Sequence, residues 1–167
     1  RDRELSYALD VGLEVLGGGM TSRLYQSLVE EQKLAINAST FAWTTLHDEG
    51  PAVISASPAP GVPLDELEAA IMAEVEKVLE EGFTDAEVER ARNKLAAQAI
   101  YARDSQSYMA NTFGSTLALG GSVEDVLNYP DGMRAVTTEQ AIAAVRQVFG
   151  PDRHYIEAHL LPAEGES

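Results

Sequence analysis

The sequence predicts an α+β domain, and three observations carry that prediction. Leucines at helical spacing open the chain, alternation with a period of two begins at Ala35, and a long run of helical stripes follows Pro63. Helices gathered beside a small antiparallel sheet make α+β rather than a succession of parallel βαβ units. The 167 residues, 45% of them apolar, correspond to one domain with material for a real core. Residues 1–167 therefore read as a single domain. The chain enters helical periodicity directly, without Met or a leader-like stretch, and reads as part of a longer polypeptide.

Leu5, Leu9, Leu13 and Leu16 recur at the spacing of an amphipathic helix. Gly17-Gly18-Gly19 ends it, because residues without Cβ let the backbone turn through positive φ. Thr21 or Ser22 is placed to cap a second helix carrying Leu24, Tyr25 and Leu28. From Ala35 the period is two: Asn37, Ser39, Phe41 and Trp43 share one face, and Ile36, Ala38 and Ala42 the other. Asp48-Glu49-Gly50-Pro51 is turn chemistry, and Ala52 to Ser57 reads as the returning strand of a hairpin spanning 35–57.

Pro58, Pro60, Gly61 and Pro63 break the pattern, and Pro63 suits a helix start. Leu64, Leu67, Ile71, Val75 and Val78 then form a long stripe closed by Gly82. Thr84 with Glu87 is a capping box for a helix through Val88, Ala91, Leu95 and Ala99. Met109, Phe113 and Leu117 mark a further helix, and a short one from Val123 is expected to stop before Pro130. Thr137 with Gln140 opens a helix through Ile142, Val145 and Phe149. The alternation His154, Ile156, Ala158, Leu160 predicts a last strand near 153–161 in the same sheet.

A formal charge of −15 argues against nucleic acid and anionic membrane surfaces, which require a basic face. No apolar run approaches the ~20 residues of a membrane span. The absence of Cys removes disulfides, thiolate metal sites and cysteine nucleophiles. His154-Tyr155-Ile156-Glu157-Ala158-His159 comes nearest to a metal motif. An inverted zinc motif needs its histidines at i and i+4 of a helix, and here they stand at i+5, ~140° apart on a helix or on opposite faces of a strand. Both read as surface or edge histidines, and His47 as a solvated turn residue. Glu74, Glu76, Glu80 and Glu81 read as a solvated helix face, and Phe41 with Trp43 as core. From the residues alone no catalytic set assembles.

Leu16-Gly17-Gly18-Gly19-Met20-Thr21-Ser22-Arg23-Leu24-Tyr25-Gln26-Ser27-Leu28 resembles the signature opening the second homologous half of the pitrilysin/insulinase family of zinc peptidases. The resemblance continues through Glu81-Gly82, Thr84-Asp85-Ala86-Glu87-Val88, Tyr101-Ala102-Arg103-Asp104-Ser105, Val136-Thr137-Thr138-Glu139 and Leu160-Leu161-Pro162. It implies one α+β half of a clam-like chamber, lacking its first strand or strands, so that the sheet is under-filled and has an exposed edge. The zinc motif belongs to the other half, so the resemblance implies no cofactor in this chain and zinc in the N-terminal half of the same polypeptide.

Single-chain members of that family carry an Arg and, seven residues on, a Tyr that point toward the substrate carbonyl. The matching positions here are Val29 and Ile36, which can neither donate a hydrogen bond nor hold charge. The resemblance therefore implies the zinc-bearing subunit of a bacterial two-subunit enzyme, with the Arg/Tyr pair on a second subunit and a peptide as substrate. Gly17, Gly18, Gly19, Val29 and Ile36 are the expected chamber-lining positions. The other reading is a proteolytically inactive scaffold or binding subunit. The resemblance suggests a periplasmic location and leaves a cytoplasmic one open.

Overall fold

Helix α1 (Arg3–Gly17) runs through the middle of the molecule, and its leucine stripe understates how much of it is covered. In the computed structural model, which describes residues 3–43, 50–151 and 154–161, Ala8, Val11, Leu13, Val15 and Leu16 are all buried. Leu5 and Leu9 are half-buried beside them. A helix apolar around most of its circumference is one that other elements wrap. Here β1 (Ala35–Ala42) takes one side, while α4 (Asp85–Tyr101), α6 (Val123–Ala135) and α7 (Thr138–Phe149) take the others.

After the glycine turn, α2 (Arg23–Tyr25) is a single turn that widens into a π-helix over Gln26–Glu31. Ser22 occupies the N-cap position but makes no side-chain cap; its hydroxyl donates instead to the Gly19 carbonyl at 2.6 Å. Strand β1 then pairs antiparallel with β2 (Ala52–Pro58), giving the expected hairpin. Its turn residues, including His47, Asp48 and Glu49, lie outside the described residues. The inner face, Ala38 with Ala56 and Thr40 with Ile54, seals against α1, and the outer face pairs Asn37 with Ser57, Ser39 with Ser55 and Phe41 with Val53.

Among the described residues the sheet has two strands. The predicted last strand is absent: residues 154–161 belong to no regular element and are exposed, Ile156 almost completely. Alternation expresses a preference for extended backbone, but a strand also needs a neighbouring edge to bond, and this segment has none.

Helix α3 (Leu64–Glu81) buries Leu67, Val75 and Val78 as its stripe predicts. It also buries Glu74, only 7% exposed, so that residue leaves the solvated face while Glu76, Glu80 and Glu81 stay on it. Both expected capping boxes form at Thr84/Glu87 and Thr137/Gln140, and Ser122 with Asp125 makes a third. Helix α6 does not stop before Pro130 but carries it in its interior. Pro130 and Met133 are both buried, and packing against α4 and α1 outweighs the missing backbone bond. In contrast, α5 (Gln106–Ala118) buries no residue, and Leu117 of its predicted stripe is exposed. It rests on α6 and a short 3₁₀ turn at Ala102–Asp104 rather than on the core.

The signature turn, the outer sheet face and the family they define

Gly17 and Gly19 serve the turn in different ways. Gly19 has φ +131°, a conformation side chains rarely adopt, and its carbonyl receives both the amide and the hydroxyl of Ser22. Gly17 is buried where α1 meets the sheet: a Cβ there would stand 2.6 Å from the Thr40 amide nitrogen. Thr40 secures this approach by donating its hydroxyl to the Leu13 carbonyl at 2.7 Å. Gly18 is half-buried, and its carbonyl accepts from Lys94, which also holds the Glu14 carboxylate. Burial pushes the Glu14 carboxyl up, and the Lys94 ammonium only partly offsets it.

The signature arginine is held as firmly. Arg23 donates from Nε and Nη2 to the two carboxylate oxygens of Glu87, the second at 3.0 Å. The same carboxylate receives the Thr84 amide at 2.8 Å, so one side chain both closes the α4 capping box and anchors the turn. Burial works against the Glu87 charge, but Arg23 and Thr84 outweigh it and hold the carboxyl below its usual range. Glu87 was legible as a cap; its pairing with Arg23, 64 residues away, has no local signal.

The two positions matched to the family's Arg and Tyr part company. Val29 lies in the π-helix and packs against the core. Ile36 sits at an irregularity in the β1 register between Ala35 and Asn37 and is 60% exposed. An extra residue in one strand re-aims the side chains around it. Strict alternation would pair Ile36 with Ala38 on the inner face; Ala38 is buried there, and Ile36 is not. Phe41 and Trp43 likewise correct the expectation of core aromatics. They are 43% and 47% exposed and stack edge to face, ring centroids 4.9 Å apart, on the outer sheet surface.

Among the described residues, one group holds metal-ligand types close together: Glu68 of α3 with Glu157 and His159, donor atoms within 4.8 Å. His159 Nε2 stands against the Glu157 carboxylate, and that carboxylate beside Glu68 raises the Glu68 carboxyl, with little burial involved. His154 is exposed and is not among them. The group lies on an exposed segment and offers one histidine, whereas the zinc motif of the resembled family needs two on one helix face with a Glu between. These residues do not fit that centre.

A peptidase-like α+β half with a glycine signature turn and no zinc motif defines a class, the non-catalytic halves of zinc proteases. Residues 1–95 match the Peptidase M16 inactive domain, and the chain belongs to that family. It is 30% identical over 154 residues to an uncharacterized zinc protease of Streptomyces coelicolor, a match covering 90% of this chain and 32% of that protein. An uncharacterized zinc protease of Mycobacterium leprae is 32% identical over 152 residues, covering 89% and 33%. The chain thus spans about a third of the length of these relatives. In fold it is similar to a protease from Helicobacter pylori, with TM-score 0.77, 21% identity and coverage of 89% of this chain and 35% of that one. It is also similar to the inactive peptidase domain solved from Bordetella parapertussis, with TM-score 0.75, 24% identity and coverage of 85% and 76%. No helix among the described residues is long and apolar enough to cross a membrane.

Proposed function

We propose that residues 1–167 form one domain serving as the non-catalytic wall of a zinc metalloendopeptidase, closing and lining the chamber that holds a peptide. The observation that carries this reading is the outer face of the hairpin, where Ile36, Phe41 and Trp43 stand exposed among Asn37, Ser39 and Ser55. Apolar and small polar groups interleaved on an open sheet face suit an unfolded peptide of mixed sequence. The glycine turn at Gly17, Gly18 and Gly19 and the π-helix carrying Val29 back that sheet from the core side, through Thr40 and β1. The −15 charge of the chain favours peptides with basic residues.

In this reading zinc is held by the N-terminal half of the same polypeptide and supplies an activated water when bound. The wall described here contributes enclosure and contact. Val29 and Ile36 offer no donor to a developing oxyanion, so that help comes from a second family subunit carrying the Arg/Tyr pair. Loss of one such donor costs a factor of ~10²–10³ in rate. The test is to assay the full-length subunit alone, with such a partner, and with a partner lacking the Arg and Tyr. Activity is expected only in the second mixture. Full activity of the lone subunit refutes the divided site, and inactivity in all three refutes the peptidase reading in favour of a scaffold.

A further inference from the structure

A cavity lies away from the sheet, between the N-terminal half of α1, the C-terminal end of α4, α5 and α6. It has a volume of about 510 Å³, within the range of small-ligand sites. Its existence follows from α5, which buries no residue of its own and so stands off the core as one wall. The walls are largely apolar and aromatic: Leu95 and Ala99 of α4, Tyr108 and Met109 of α5, and Tyr7 edge to face with Tyr129 at 5.6 Å.

The polar groups are unevenly engaged. Arg3 is paired with Asp125, and the Tyr129 hydroxyl donates to Asp10 at 3.3 Å. Arg103 differs: one of its nitrogens donates to the Leu127 carbonyl at 2.7 Å, and among the described residues no carboxylate pairs with it. A guanidinium has five N–H donors in a planar fork, so most of them remain available at the pocket wall. Burial and the neighbouring Asp10 raise the Tyr129 phenol, which keeps its proton on the donor side of that bond.

We infer that this cleft binds a carboxylate carried on an apolar or aromatic body, with Arg103 receiving the carboxylate and Tyr108, Met109 and Leu95 the body. The charge decides the class. Against the chain's overall −15, the local balance decides: Arg103 has no carboxylate partner among the described residues, and its fork beside a largely apolar cavity is complementary to a carboxylate. The chemistry is shared by the C-terminal end of a peptide and by a free aromatic acid. The inference does not depend on the chamber described above, since the cleft shares none of that surface.

The test titrates this chain, by calorimetry or by NMR of the tyrosine rings, with 3-phenylpropanoate, N-acetylphenylalanine and the amide of each. Both acids are expected to bind about tenfold tighter than their amides, the scale of a charge-assisted hydrogen bond in a half-enclosed site. Tighter binding of N-acetylphenylalanine than of phenylpropanoate assigns the site to peptide ends, and the reverse order assigns it to free acids. Arg103→Gln should abolish the acid preference, bringing each acid to the affinity of its amide, and saturable amide binding by this variant shows that the cleft is intact. Tyr108→Ala should weaken acid and amide alike. Equal affinity for acid and amide in the parent chain, a preference that survives Arg103→Gln, or no saturable binding at millimolar ligand each overturns the inference.

Discussion

Gly17 and Gly19 stand two residues apart in one turn and should respond differently to the same substitution. Gly19→Ala forces a side chain to φ +131°, where its Cβ would meet only the flexible end of Lys94 at 3.4 Å, and should cost ~1–2 kcal/mol. Gly17→Ala drives Cβ into the backbone of β1 at Thr40, which cannot rotate aside, and overpacking of that kind costs ~1–3 kcal/mol. Denaturant unfolding should rank Gly17→Ala as the less stable; an unperturbed Gly17→Ala would show that the strand yields. Glu87 sets a pH dependence whose sign is fixed. Its carboxyl is lower in the folded chain than in the unfolded one, so its contribution is complete above the unfolded value and is lost as pH falls through the folded one. Glu87→Gln should therefore flatten the acid limb of the stability profile and lower stability at neutral pH. Glu14, raised in the folded chain, acts oppositely: its contribution fades as pH rises through its folded value, and Glu14→Gln should remove that slope.

At the scale of elements, α5 is the outlier. With no buried residue, it should exchange its amide hydrogens well before α1 and α7, whose faces are buried; equal protection across the three would show packing that α5 lacks. The capping boxes at Thr84/Glu87 and Thr137/Gln140, the hairpin and the glycine turn were legible because each is encoded within a few residues, while the cap expected at Thr21 or Ser22 did not form. The errors arose where distant partners decide. The stripe of Met109, Phe113 and Leu117 has helical spacing but finds no core to face, and the alternation from His154 finds no strand edge. Pro130 reads as a stop, yet burial carries the helix past it. Within the candidate site, the outer face of Phe41 and Trp43 was legible as a face but not as an exposed one. The strand irregularity beside Ile36 left no mark in the composition.

For the molecule as a whole, the absence of a two-histidine helix motif yields a direct expectation. After loading with zinc and exhaustive dialysis, the chain should retain far less than one ion per molecule, and His159→Ala should change nothing. Stoichiometric zinc lost on His159→Ala would instead make the group at Glu68, Glu157 and His159 a true centre. The chain spans about a third of its relatives, and the two-stranded sheet among its described residues is small for the helices beside it.

The double duty of Glu87 bears on how such a chain can change over generations. Losing Arg23 leaves the Thr84 amide still satisfied, whereas losing the carboxylate strips the cap and strands a half-buried guanidinium at once. The order of inheritance is therefore directional: lineages can abandon Arg23 first and keep Glu87, but those that abandon Glu87 first pass through a less stable ancestor. Comparing Arg23→Ala, Glu87→Ala and the double variant measures the asymmetry. Glu87→Ala should be the more damaging of the two, and Arg23→Ala should add little once it is present.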